Sequence, residues 1–356
     1  MGLHTVVWDT EKVGPAQEAA DQVVAASYED RDALEVFSQA VDCVTYEFEN
    51  IPYETARQLG DRIGVFPPPQ LLFVSQNRLR EKDRARAAGL PTTPYREVSS
   101  AEQASQAAKE VGLPGIFKTV SGGYDGKGQT RVATVEQAEQ AFKALFANRP
   151  LIYERQINFV GEISVVVARD QLGTVVTYPI SENHHRQGIL DWTLAPARVP
   201  ASVAHDAAAG ARVMAEDLDL VGVMAVEFFV TADHQVLFNE LAPRPHNSGH
   251  WTIEAAWPSQ FTQHMRAVAG WPVLAPRQFA PAVMINLMGE LFMEGLDPLE
   301  SLVRLDGTQL HWYGKREMRP GRKVGHATVM GDTVDQALQG AREAKRILGG
   351  EWYDGA

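Results

Sequence analysis

The chain reads as a mixed α/β and α+β protein: a doubly wound parallel sheet first, an α+β middle, and a small β-rich C-terminal piece. Three observations predict this. Residues 1–74 alternate short apolar runs with amphipathic segments, the rhythm of βαβ units. The middle carries a hairpin signal, with β-rich Val223–Val230 and Val236–Leu241 around the polar Thr231–Gln235. The proline-rich Pro272–Pro281 reads as a linker into the last part. No internal repeat or low-complexity tract is present.

In chain order, Thr5–Trp8 reads as a strand ending at Asp9, Val23–Ala25 as a second, and Asp30–Ala40 as a helix that Asp30 can cap. Cys43–Tyr46 is a further strand, closed by acidic EFENIP. A helix over Ser75–Ala88 follows Pro67–Gln70, with Gly89 and Pro91 stopping it. Then come strand Ile116–Val120, the glycine-rich Ser121–Gln129, helix Val135–Ala147, and strands Leu151–Arg155, Ile163–Ala168 and Val175–Ile180. The ENHHRQGI stretch reads as a polar loop. Helix Ala201–Leu218 precedes the hairpin, and Ser259–Val268 is helical. Strands Val283–Leu287, Gln309–Tyr313 and His326–Met330 and helix Thr333–Leu348 end the chain.

At 356 residues, 45% hydrophobic and 22% charged, the chain has the composition of a soluble protein with two or three domains. A net charge of −12 argues against a nucleic-acid or membrane surface, while leaving room for a local basic site. One cysteine, Cys43, excludes an internal disulfide and fits a reducing cytoplasm. No apolar run reaches the ~18 residues of a membrane helix, and no signal peptide is visible.

The sharpest chemical signal is in the hairpin. A turn centred between Asp233 and His234 sets Glu227 opposite Glu240, and like charges directly across a ladder are destabilising. A hard cation explains the pair, because Mg²⁺ favours one or two carboxylates plus phosphate oxygens. Two solvated glutamates are the plainer alternative. The SGGYDGKGQ loop carries glycines 122, 123, 126 and 128, which let a backbone approach phosphate closely. It matches neither the Walker A loop nor GxGxxG. Arg78 lies among Arg80, Lys82, Arg84 and Arg86, a run that reads as a solvated basic face. Two clusters concentrate cations in an acidic chain: Arg244–His250, and Lys315–His326 with its RPGRKVGH. Both suit an anionic small molecule, which Arg can hold bidentately. Serine-hydrolase and zinc signatures are absent.

Taken in order, YEFENIP (46–52), QNRLREK (76–82), FKTVSGGYDGKGQ (117–129), YERQINFVGEIS (153–164), YPISENHHRQGIL (178–190), GVMAVEFF (222–229), FNELAPRPHNSGHW (238–251) and HWYGKREMRPGRKVGH (311–326) resemble the N5-carboxyaminoimidazole ribonucleotide synthetases. These are ATP-grasp enzymes of purine biosynthesis. The resemblance implies an ATP-grasp fold, with a Rossmann-like domain at 1–74, an ATP-grasp domain at 75–272 (lid 91–155) and a substrate-binding domain at 273–356. It implies carboxylation of 5-aminoimidazole ribonucleotide with ATP, Mg²⁺ and bicarbonate, through carboxyphosphate, in a cytoplasmic homodimer.

Residue by residue, the resemblance puts Arg78 and Lys118 on ATP phosphates, with Gly123, Tyr124, Asp125, Gly126, Lys127, Gly128 and Gln129 as lid. Glu154, Arg155, Gln156 and Ile157 border adenine, Glu162 meets ribose, and His185 lies near the nucleotide. Glu227, Glu240 and Asn239 hold the metal. Glu47, Tyr124, Asp125, Lys127, His246, Asn247, Ser248, Lys315 and Arg322 meet the ribonucleotide. Lys118, Tyr124, Asp125, Lys127 and Arg244 stand nearest the chemistry. One departure concerns the start: the family opens on a strand and a GGGQLG-type turn, and Gly2-Leu3-His4 resembles the helix end after it, so one βα unit is expected to be missing. The competing readings are a nucleotide-binding chain without turnover and another ATP-grasp enzyme, such as formate-dependent glycinamide ribonucleotide transformylase or a biotin carboxylase. The RPGRKVGH segment argues against the latter two.

Overall fold

The computed structural model describes residues 1–122, 128–146, 149–315 and 317–352. At the N-terminus β1 (Val6–Asp9) pairs in parallel with β2 (Gln22–Ala25), and β3 (Cys43–Val44) with β4 (Gly64–Val65). These are two separate ribbons rather than the one continuous sheet that the βαβ rhythm predicts. They share a core with Leu34, Phe37, Leu59 and Leu72. The helix Arg31–Ala40 starts as expected, with the Asp30 carboxylate accepting from the Asp32 and Ala33 N–H groups at 2.9 and 3.0 Å. The helix expected over Ser75–Ala88 is Arg78–Ala87, and a separate helix, Pro69–Ser75, precedes it. Asn77 causes the break, because its side chain accepts from Leu79 and Arg80 N–H and opens a new helix.

A four-stranded antiparallel sheet follows, in the order β5 (Tyr95–Val98), β8 (Leu151–Arg155), β6 (Gly115–Thr119), β7 (Gln129–Val132). Helices Ala101–Val111 and Val135–Leu145 seal it around Phe117, Phe142 and Tyr153. Residues 91–94 and 156–158 tie this subdomain to the rest.

The central sheet is built from β9 (Phe159–Arg169), β10 (Val175–Thr177), β11 (Ser181–Arg186), β12 (Ile189–Ala195), β13 (Gly222–Thr231) and β14 (Val236–Ala242). A short ribbon, β15 (Ala256–Trp257) with β16 (Arg277–Gln278), lies beside it. The sheet then continues without interruption into β17 (Ala282–Met288), β18 (Thr308–Trp312) and β19 (Lys323–Met330), because Trp192 on β12 pairs with Ile285 on β17. Its order is β14-β13-β9-β11-β12-β17-β19-β18, with β10 on β9. Helix Ala201–Asp217 packs against Val165, Val167, Met224 and Val226 on one face, while Trp251 and Ala267 meet Val166 and Val223 on the other. Each fully buried aliphatic side chain there contributes roughly 1.5–3 kcal/mol. Helix Val334–Ile347, opened by a Thr333 capping box, covers β17 and β19.

The polar loop expected at ENHHRQGI is a correction: it is the β11–β12 hairpin. Gln187 and Gly188 take φ of 54° and 81°, the left-handed pair that a tight two-residue hairpin turn requires. Among the described residues no helix is long and apolar enough to cross a membrane.

Candidate active site

Glu227 and Glu240 are cross-strand partners, as the sequence predicts, but the route to that register differs. Near the turn Val230 pairs with Val236 and Phe228 with Phe238. Strict alternation from there would set Glu227 against Asn239. A β-bulge inserts Asn239 as an extra residue and brings Glu240 opposite Glu227. Burial and the neighbouring Glu240 charge push the Glu227 carboxyl up from its ordinary value. Among the described residues no group of three or more His, Cys, Asp or Glu side chains could hold a metal by itself. Two hard oxygen donors of like charge nevertheless fit Mg²⁺, which completes its shell with water and phosphate oxygens.

On one side of this pair lies a buried ionic network. The Lys118 ammonium donates to Glu154 Oε2 at 3.1 Å, and Lys82 Nζ lies 3.6 Å from the same oxygen. Burial alone would raise the Glu154 pKa, but the two ammonium groups hold it down at about 2. Glu154, Gln156 and Ile157 line a small pocket with Lys118, walled by the stacked rings of Phe159 and Phe229 at 4.6 Å. Arg155 reaches its outer edge and is exposed. Glu162 and His185, on adjacent β9 and β11, are brought into direct contact. Burial would lower the His185 pKa, yet Glu162 raises it to about 9. Arg78 donates to the Thr119 carbonyl at 3.0 Å. Gln129 pairs with Lys118 across β6–β7, and Gly128, at φ +72°, has no room for a side chain, since a Cβ would stand 2.9 Å from Thr119 Oγ1. Gly123, Tyr124, Asp125, Gly126 and Lys127 lie outside the described residues.

On the other side, loops supply the groups. Arg244 forks onto both oxygens of Glu49, one contact being 2.9 Å. Glu47, whose carboxyl desolvation pushes up, feels the charges of Arg244 and Lys315. Lys315 lies over the Tyr313 ring, and Arg322 reaches Glu317 at 3.3 Å. His246 Nε2 stands 3.4 Å from Glu227 Oε1, so the Arg244–His250 loop touches the carboxylate pair. The Ser248 hydroxyl accepts from Ser164 at 2.7 Å, and the Asn247 side-chain amide is buried without a protein acceptor.

Comparison with known proteins decides the family. Family models for a ribonucleotide synthetase preATP-grasp domain, an ATP-grasp domain and a phosphoribosylaminoimidazole carboxylase C-terminal domain match residues 1–76, 83–261 and 282–340. The N5-carboxyaminoimidazole ribonucleotide synthase of Bacillus subtilis is 41% identical, over 95% of this chain and 88% of its own. This chain belongs to the N5-carboxyaminoimidazole ribonucleotide synthase family. The solved synthetase of Thermus thermophilus superposes with a TM-score of 0.91 at 40% identity, covering 99% of this chain and 94% of that one. The Aspergillus clavatus synthase, solved with ADP and 5-aminoimidazole ribonucleotide, gives 0.86 at 29% identity, over 94% and 89%. The fold is therefore ATP-grasp, with the family's preATP-grasp and C-terminal domains.

Sequence reasoning missed several residues that hold these candidate groups in place. Lys82, read as part of a solvated face, is 2% exposed and bonded inward, and Glu81 beside it is 4% exposed. Desolvation, with Glu240 nearby, pushes Glu81 up to about 8. Gln260 grips the Arg244–His250 loop, accepting the His246 N–H at 2.9 Å and donating to its carbonyl at 2.8 Å. Its place as the first residue after the Ser259 cap gave no functional signal. Glu49, within EFENIP, could have been paired with an arginine by charge alone.

Proposed function

We propose that this chain carboxylates 5-aminoimidazole ribonucleotide to N5-carboxyaminoimidazole ribonucleotide in de novo purine biosynthesis, consuming ATP and bicarbonate and releasing ADP and phosphate. The reading rests most heavily on the contact between Glu227 and His246. It makes the carboxylate pair the meeting point of a nucleotide side and a ribonucleotide side. Glu227 and Glu240, beside Asn239, would hold Mg²⁺, which would supply charge neutralisation at the transferring phosphoryl group. Lys118 and Arg78 bind and orient the triphosphate, Glu154 to Ile157 border adenine, and Glu162, steered by His185, takes ribose hydroxyls. Glu47, Arg244, His246, Asn247, Ser248, Lys315 and Arg322 receive the ribonucleotide. Tyr124, Asp125 and Lys127 join them from the loop between Gly123 and Gln129, which excludes water from the short-lived carboxyphosphate.

The same reading divides the chain at 1–74, 75–272 and 273–356, with a lid at 91–155, and places it in the cytoplasm. A homodimer is part of it, supported by the outer face of the β15–β16 ribbon, where Trp257 and Phe279 are 55% and 61% exposed. Coupled ADP release is the test. Release that requires both bicarbonate and 5-aminoimidazole ribonucleotide is the expected result, and ATP consumption indifferent to the ribonucleotide overturns it. Sedimentation at micromolar concentration tests the dimer.

A further inference from the structure

β14 is the edge strand of the central sheet, so the outward backbone groups around Glu240 have no strand to pair with. Helix Arg78–Ala87 supplies two side chains instead. Lys82 Nζ donates to the Asn239 carbonyl at 3.3 Å, and Glu81 Oε1 accepts the Leu241 N–H at 3.1 Å. Together they grip the peptide on both sides of Glu240. Neutral amides could satisfy those groups without the several kcal/mol that burying each ion costs, so the charge on Lys82 calls for a second reason. That reason is Glu154. Its Oε2 has two ammonium neighbours, Lys118 at 3.1 Å and Lys82 at 3.6 Å. Thr93 Oγ1 ties the network together, accepting from Lys82 at 3.3 Å and donating to Glu154 at 3.5 Å. The two ammonium groups are not equivalent: the Lys82 side chain is 3% exposed and locked, whereas that of Lys118 is 18% exposed and borders the pocket.

We propose that Lys82 is the resident counter-ion of Glu154, which frees Lys118 to leave that carboxylate for the phosphates of a bound nucleotide. Lys82 is thus a positioning residue: it touches no substrate and acts through Glu154 and Lys118. The inference rests on the nucleotide site proposed above. With Lys82 in place, Glu154 keeps a partner when Lys118 moves. Without it, Lys118 is the one ammonium group left beside Glu154 among the described residues, with Arg78 acting from farther off, and a nucleotide must compete for that ammonium group.

Calorimetric titration of the full chain with ADP, without turnover, reads this directly. Lys82→Met is expected to weaken ADP binding about 10- to 100-fold, the worth of one charged hydrogen bond. Adding Glu154→Gln to Lys82→Met should restore most of the loss, because the competing carboxylate is gone. A merely structural Lys82 predicts no such rescue. Unchanged ADP affinity in Lys82→Met, or a double variant as weak as the single one, overturns the proposal. If Lys82→Met does not fold, Lys82→Gln decides, since it keeps a donor for the Asn239 carbonyl without the charge: ADP affinity at least about tenfold below wild type supports the proposal, and any smaller loss overturns it. A wild-type chain that binds no ADP removes the nucleotide site and this inference together. Ribonucleotide-dependent turnover in a wild type whose Lys82→Met variant binds ADP equally well removes the inference alone.

Discussion

The two sides of the cleft are organised by different physics. Apart from Arg78, which opens a helix, the groups proposed for the nucleotide are carried on strands: Lys118 on β6, Glu154 on β8, Glu162 on β9, His185 on β11 and the carboxylate pair on β13 and β14. Ladder register fixes these groups, and most already hold an internal partner. Those proposed for the ribonucleotide hang on loops, with Glu47, Arg244, Lys315 and Arg322 all outside regular elements. There the partners are a forked Arg244–Glu49 pair and a lysine over an aromatic ring at 5.6 Å. Strand-borne groups need little reorganisation to meet a ligand, whereas loop-borne groups depend on the ligand to draw them together. The same contrast separates a side that favours chemistry from a side that favours recognition.

Removing Glu240 should expose that contrast most strongly. Glu240→Gln keeps the shape but halves the charge of the pair, and kcat is expected to fall about 10²–10³-fold, the loss of several kcal/mol of transition-state stabilisation. Thermal stability should hold or rise, because Glu240 is a cause of the raised Glu227 pKa and that repulsion disappears. ADP release at wild-type rate in this variant would falsify the metal assignment. Lys315→Met probes the other side. Its KM for the ribonucleotide should rise about tenfold through loss of one charge-assisted contact, with KM for ATP and kcat nearly unchanged. Equal shifts in both KM values would erase the distinction between the two sides.

Legibility follows the same divide, with two instructive exceptions. The Glu227–Glu240 pair was readable because strand periodicity is two and both flanks are apolar. Yet the bulge at Asn239 was not, and the correct register came from a turn centre that the closing pairs do not share. β11 was unreadable as a strand because it lines the site: Ser181 and Asn183 are its buried residues, so the inward face is polar and apolar alternation is absent. Helix Arg78–Ala87 hid Glu81 and Lys82 for a related reason. Charges surround it on every side, leaving no apolar stripe to show which face turns inward. The ribonucleotide side was legible only as local composition, since pairs such as Arg244 with Glu49 join residues far apart in sequence. Through the resemblance, the motifs named both sides; the physics of the residues alone reached the carboxylate pair.

The mildest test uses pH to ask whether the strand side is held together by its own ion pairs. His185 has a folded pKa of about 9 against an ordinary 6.5, raised by Glu162. A raised folded pKa contributes stability that is fully present below about pH 6.5 and lost as pH climbs through about 9. For a ring that is 22% exposed, the contribution is on the order of 2 kcal/mol, less than the full shift implies because solvent screens it. The ligand-free chain should therefore lose stability between pH 6.5 and pH 9, seen as a falling denaturation midpoint. Glu81, pushed up to about 8, and Glu227, also pushed up, lose stability over part of the same range. His185→Gln separates the sources: it removes the imidazole and leaves both carboxyls in place. A pH profile that flattens in His185→Gln places the loss on β9 and β11. A slope as steep as wild type places it on the buried carboxyls, and the claim that the Glu162–His185 pair stabilises the strand side then fails.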